Sequence, residues 1–269
     1  MIVHNFDPVL VDLGLFQIRW YSVSYILGII LGWLYAVRII KQITKNKYNY
    51  QPITTSHFDD LIIYLILGIV VGGRLGYVIF YNFEYYAQNF FDIFKLWEGG
   101  MSFHGGLAGV ILAIFIFSKK TKINFFKFSD IVACVAPIGI FLGRIANFIN
   151  GELYGKISSL PWAIIFPYGG SVARHPSQIY EAILEGIILF ILINYLALKK
   201  QLLLQTGYIS GFFLVAYSIL RIFSENFREP DIHLGYFFNY FSMGIILSSI
   251  TFLAGCFIIF FIKNNEQNN

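Results

Sequence analysis

The chain has 269 residues, of which 57% are hydrophobic and only 13% charged. An ordinary soluble domain carries about 25% charged residues, so this composition excludes one and points to lipid as the solvent. The net charge of +4 comes from basic residues in short clusters beside apolar segments, which excludes a nucleic-acid-binding patch.

Apolar segments of about 17–21 residues recur along the chain, each long enough to cross a ~30 Å hydrocarbon core. The first, roughly 21–38, has no basic cluster before it and no small-residue cleavage site, so it is expected to stay as an anchor. The second, roughly 59–80, carries Arg74 among Gly72, Gly73 and Gly76. The third, roughly 100–118, starts weakly by hydropathy and carries His104, followed by Gly105, Gly106 and Gly109. The fourth, roughly 130–150, contains Pro137, expected to kink it, and Arg144 behind Gly139 and Gly143. Residues 151–177 form a long, mildly hydrophobic connection with Pro161, Trp162, Pro167 and Tyr168. It reads as an interfacial segment or as an ordinary surface loop; loops of this length are more often functional than idle. The fifth segment, roughly 178–198, opens with Glu181 and Glu185, which at i, i+4 share one helix face. The sixth, roughly 207–224, closes on Arg221 with Glu225 four residues on. The seventh, roughly 241–262, leads into the tail Lys263–Asn269. No internal repeat interrupts this order. The expected fold is all-α: a polytopic membrane protein of about seven transmembrane helices, forming a single domain over 1–269.

Lys and Arg residues orient the spans. Arg38, Lys41, Lys45, Lys47, Lys119, Lys120, Lys122, Lys127, Lys199, Lys200 and Lys263 fall on one side, and Arg19, Lys95, Lys156, Arg174 and Arg228 on the other. Eleven against five puts the C-terminus in the cytoplasm and the N-terminus outside, on the periplasmic face.

With that orientation the intramembrane polar groups gather in the outer half. Arg74 and Arg144 lie about six residues, roughly 9 Å, inside the outer ends of their spans. His104, Glu181, Glu185, Arg221, Glu225 and Tyr21 join them from four further spans, while the inner half of most spans is nearly featureless. Ionisable groups at membrane depth are costly and default to functional readings. A channel or pump is expected to carry polar groups through its full thickness or at the midplane. A one-sided cavity suits action on something in the outer leaflet, and arginines suit the oxygens of a phospholipid headgroup. The competing reading pairs each arginine with Glu181, Glu185 or Glu225. A transporter or lipid flippase is the alternative of another class, and the one-sided cluster and missing repeat speak against it. Glycines at four-residue spacing point to close helix packing. Cys134 and Cys256 lie in apolar runs without CxxC or CxxH spacing and read as small buried hydrophobes. GxSxG and HExxH are absent, which argues against a serine hydrolase or a zinc protease.

The run Gly143-Arg144-Ile145-Ala146-Asn147-Phe148-Ile149-Asn150-Gly151-Glu152-Leu153-Tyr154-Gly155 resembles the signature of the prolipoprotein diacylglyceryl transferases. Further blocks agree with it: Gly72–Tyr77, Gly99–Gly106, Arg174–Glu181 and Arg221–Asp231. The resemblance runs from about Trp20 to the seventh span. It implies a bacterial inner-membrane enzyme whose active site faces the periplasm. It implies phosphatidylglycerol as donor and the lipobox cysteine of a prolipoprotein signal peptide as acceptor. Membrane lipids would surround it, and no nucleic acid, cofactor or metal would be involved. By the same resemblance Arg144 binds the phospholipid, while His104 and Arg221 serve catalysis or donor binding. Tyr21, Asn147, Glu152, Gly155, Tyr217 and Glu225 match further functional positions. The chemistry is consistent: a neutral imidazole can take the thiol proton, and arginines can neutralise charge growing on a phosphate leaving group.

Overall fold

The structure is a computed structural model and describes residues 2–14, 17–45, 53–96, 99–229, 236–237 and 241–267. Its long helices are α1 (Trp20–Lys45), α2 (Thr55–Tyr81), α4 (Phe103–Thr121), α5 (Phe125–Ile149), α6 (Ser177–Lys199), α7 (Tyr208–Glu225) and α8 (Met243–Gln267). A short α3 (Phe83–Gln88) follows α2. The chain sorts into two compact units, one of Met1–Ala36 with Asp130–Asn269, the other of Val37–Ser129.

Six helices among the described residues, all of the long ones except α4, are long and apolar enough to cross a membrane. The expected third span does form a helix, but it starts at Phe103 rather than at 100. Gly99 and Gly100 hold φ of +82° and +80°, which no right-handed helix accepts, and the Ser102 side chain caps α4 by accepting from Gly105 N at 3.2 Å. With His104, Gly105 and Gly106 in its first turn and Lys119, Lys120 and Thr121 in its last, α4 has its apolar residues only in the middle. The α5 helix runs through Pro137 without interruption.

In the second unit α2 packs on α4 through glycines. A Cβ at Gly76 would lie 2.7 Å from Gly105 Cα, and one at Gly68 would lie 2.5 Å from Gly109 O. The small residues thus let two backbones touch, as the spacing predicts. Thr54 and His57 form a capping box that starts α2. Arg74 is only 3% exposed, and among the described residues its guanidinium hydrogen-bonds only backbone carbonyls: Ile93 O at 2.8 Å, Asp92 O at 2.6 Å, Lys95 O at 3.1 Å, Gly100 O at 3.2 Å, and Gly99 O. Among the described residues it pairs with no glutamate, and its five N–H donors are spent on carbonyls of its own chain rather than left for a headgroup. It staples the connection after α3 to α2.

In the first unit, two buried polar side chains, Asp130 and Asn194, stand away from the cluster of arginines and glutamates. Asp130, fully buried in α5, accepts from Gly207 N (2.6 Å), Ser210 N (2.8 Å) and Ser210 Oγ (2.6 Å), capping α7 with a charge where its dipole favours one. Asn194 of α6 donates to Cys134 O at 3.0 Å and accepts from Tyr35 Oη at 3.0 Å. These bonds tie α1, α5, α6 and α7 together. The outer side of α8 is apolar yet open, with Leu253, Phe257 and Phe260 each 64–68% exposed. Such a face suits lipid rather than water.

The connection 151–176 carries short strands rather than running bare. Ile164–Ile165 pairs with Ile2–Val3 and with Ala173–Arg174 in a three-stranded sheet. Phe166, fully buried, packs with His4, Phe148 and Tyr154, and His4 Nε2 donates to Phe148 O at 2.7 Å.

Candidate active site

Arg144 stands near the C-terminal end of α5, Glu181 and Glu185 in the first turns of α6, and Tyr217, Arg221, Ser224 and Glu225 in the last turns of α7. The i, i+4 spacings predicted for Glu181/Glu185 and Arg221/Glu225 place each pair on one face. Arg144 Nη1 lies 2.9 Å from Glu181 Oε2, and Nη2 lies 3.1 Å from Glu185 Oε2. Arg221 Nη1 lies 2.8 Å from Glu181 Oε1 and 3.3 Å from Glu185 Oε1, and its Nη2 lies 2.7 Å from Glu225 Oε2. Arg228 Nη1 completes the network 3.4 Å from Glu181 Oε1. Ser224 Oγ donates to Glu185 Oε1 at 3.1 Å and Ser242 Oγ to Glu225 Oε1 at 2.8 Å. Gly244 makes room for Glu225, whose Oε1 would lie 2.5 Å from a Cβ there.

Three guanidinium charges therefore face three carboxylates among the described residues. Glu181 and Glu185 are fully buried, so each charge must be matched, and removing one partner would cost about 3–5 kcal/mol. The paired reading of the arginines is the observed one for Arg144 and Arg221. It does not exhaust their donors. Neither Nε–H has a protein acceptor among the described residues, and the Arg144 side chain is still 17% exposed. The ends of the forks are held by carboxylates, leaving the Nε sides for an anion.

The signature turn lies beside this network. Asn147 Nδ2 donates to Glu152 Oε1 at 2.7 Å, and Gln178 Nε2 of α6 donates to Glu152 O at 2.6 Å. Left-handed Gly151 (φ +68°) and Leu153 (φ +57°) reverse the chain between them. Gly155 is needed for close approach rather than for its φ. Its N donates to His175 O at 2.9 Å and it bridges to Arg228, so a Cβ would meet Phe227 O and lie 2.6 Å from His175 Cβ. Arg174 braces the turn by donating to Gly155 O at 3.3 Å, pairing with Glu229 at 3.0 Å and lying over the Tyr154 ring.

Of the sequence-expected residues, Arg144, Asn147, Glu152, Gly155, Tyr217, Arg221 and Glu225 fall in this region of the first unit. Tyr217 lies one turn before Arg221, within electrostatic reach of Glu185, Arg221 and Arg144. Tyr21, in the first turn of α1, bonds Tyr25 Oη at 3.4 Å, and Tyr25 is within reach of Arg144 and Glu152. His104 belongs to the second unit, exposed in the first turn of α4. Arg228, one of the outer-side basic residues, joins the network, and Ser224 of the last motif block, Ser242 and Gly244 contact its carboxylates. Only the position of Arg228, three residues after Glu225, hinted at its place. His175 also went unassigned. Its Nδ1 lies 3.2 Å from Tyr180 Oη, and burial, with Lys156 nearby, holds its imidazole below the usual histidine range. Pro230 and Asp231 of the last motif block, like Lys47, lie outside the described residues.

Comparison with known proteins agrees with the motif blocks. The sequence pattern of the prolipoprotein diacylglyceryl transferase family matches residues 8–261. A phosphatidylglycerol–prolipoprotein diacylglyceryl transferase of Rickettsia typhi is 48% identical over 259 residues, covering 96% of this chain and 98% of the relative. Proteins of the same name from Rhizobium meliloti, 46% identical over 94% of this chain and 91% of theirs, and from Allorhizobium ampelinum, 47% over 90% and 85%, are similar too. With the family pattern spanning nearly the whole chain and the signature turn built around Arg144, this chain belongs to the prolipoprotein diacylglyceryl transferase family.

Proposed function

We propose that this chain transfers the diacylglyceryl group of phosphatidylglycerol to the cysteine thiol of a prolipoprotein lipobox, the first step of bacterial lipoprotein maturation. Family membership over residues 8–261 supports the reaction. The observation that carries the site is the Arg144–Glu181–Glu185–Arg221 network, whose two guanidinium Nε–H groups remain for a phosphate. The headgroup phosphate binds along Arg144 and Arg221, with Asn147, Glu152, Gly155 and Glu225 shaping the donor site. Tyr21 and Tyr217 line it. His104 takes the thiol proton as general base. Thiolate attacks the glyceryl carbon, the C–O bond breaks, and the bridging oxygen leaves on phosphorus as glycerol phosphate. Arg221 and Arg144 stabilise the charge growing on that leaving group.

The chain acts as one membrane-embedded domain over 1–269, in the inner membrane. In this reading α4 is a seventh span, the N-terminus is periplasmic, the C-terminus cytoplasmic, and the site faces the periplasm. The excess of Lys and Arg on the other side supports that orientation. Purified protein given phosphatidylglycerol with ¹⁸O between the glyceryl carbon and phosphorus, plus a lipobox peptide, tests the chemistry. Thioether product with all ¹⁸O in the glycerol phosphate is expected. Label on the lipidated peptide means P–O cleavage, and lipid movement without any thioether means a flippase; either result ends the proposal.

A further inference from the structure

The reaction changes the charge of the group it handles. A phosphodiester donor carries one negative charge, whereas a phosphate monoester, with a second pKa near 6, carries about −1.5 to −2 at pH 7. Three arginines with nothing between them would hold the more highly charged product tighter than the substrate, and turnover would stall on release. The structure does not leave them bare. Glu181 touches Arg144, Arg221 and Arg228, and Glu185 touches Arg144 and Arg221, with both carboxylates fully buried. Packing alone would be served by glutamine, which has nearly the same shape. What the carboxylates add is charge, in a place where water does not screen it.

We infer that Glu181 and Glu185 set the charge preference of the phosphate site, so that it holds a phosphodiester monoanion and turns away a phosphomonoester dianion. This rests on the transfer reading above and deepens it. The two glutamates are positioning and specificity residues that act through Arg144 and Arg221 and do not touch the reacting carbon. The carboxylates cap the fork ends, leave the Nε sides for a diester, and cancel the surplus positive charge that would retain the product. Sulfur–carbon bond formation and carbon–oxygen cleavage are unaltered in their balance: the thiol proton goes to the base, and the bridging oxygen leaves with phosphorus.

The test compares two soluble headgroup probes as inhibitors of transfer by the purified enzyme at about pH 7.5, where the monoester is mostly dianionic. They are glycerol phosphate, a monoester, and its methyl diester, a permanent monoanion. The wild type is expected to bind the diester at least as tightly as the monoester. Glu185→Gln and Glu181→Gln, checked for folding by thermal unfolding, are expected to shift the ratio at least tenfold toward the monoester, about 1.4 kcal/mol. A merely structural role would lower stability or weaken both probes alike without moving their ratio. A wild type that binds the monoester tighter overturns the inference, as does a shift below tenfold in the folded variants. The wild-type comparison decides by itself if neither variant folds. Failure of the wild type to form any thioether defeats the transfer reading instead, and inhibition by neither probe removes the headgroup role of the network.

Discussion

The two motif arginines with glycine neighbours, Arg74 in Gly72–Tyr77 and Arg144 in Gly143–Gly155, look alike in sequence and end in opposite chemistry. Arg74 spends its donors on five backbone carbonyls between Asp92 and Gly100. Neutral carbonyls satisfy its hydrogen bonds completely and fix a turn. Arg144 meets two carboxylates end-on and keeps its Nε side open. One arginine is consumed by the fold; the other is held in place by it and retains capacity for a ligand. Arginine at membrane depth therefore signals an anion site only when the groups that partner it leave donors over.

The largest break in that comparison is expected from Arg144→Lys. It keeps the charge but loses the planar fork, so transfer should fall by about 100-fold or more with the fold intact. Near wild-type turnover would remove Arg144 from the phosphate site. Arg74→Ala should do the reverse. Five carbonyls lose their donor, thermal unfolding should report a loss of about 2–4 kcal/mol, and the folded fraction should keep its KM for the donor within about twofold. A large KM change with unaltered stability would mean that Arg74 also handles the donor. Gly155→Ala sharpens the contrast at the turn between the two roles. The added methyl must displace Phe227 or His175 backbone, at about 1–3 kcal/mol, and the distortion should pass to Arg228 and weaken transfer as well.

The smallest effect expected is a pH dependence through His175. Its folded-state imidazole titrates below the unfolded value, so the native state resists protonation. The stability it supports is fully present above about pH 6.5 and is lost as pH falls from there through the folded value. His175→Gln should flatten that part of the stability–pH curve without changing transfer at neutral pH. An unaltered curve would show that the histidine titrates alike in both states.

Much of the fold was legible because lipid imposes a coarse rule: long apolar runs must be helices that satisfy their own backbone. Six expected spans are present as helices, with ends off by up to seven residues, the largest difference being at the end of α1. The third was misjudged at its start because Gly99 and Gly100 have positive φ, which hydropathy does not register. The half taken as featureless hid Asp130, whose partner Ser210 is eighty residues away. The site was legible by type and not by partner. Arg144, Arg221 and the i, i+4 glutamate pairs were visible, but who would bond whom was not.

The sequence by itself determined that this is a helical membrane protein, and its motif blocks alone identified the family. These follow from composition, periodicity and local spacing, which a linear chain records. Only the tertiary structure decided that Arg74 is spent on carbonyls, that Arg228 joins the network, that Gly155 is a crossing of backbones, and that Glu181 bridges three arginines and Glu185 two. The network depends on contacts from α5 and from the end of α7 and the residues just after it to α6, across 36 to 47 residues of chain, and on the rule that a buried charge takes whatever opposite charge the packing brings near; the Arg74 bonds span 18 to 26 residues.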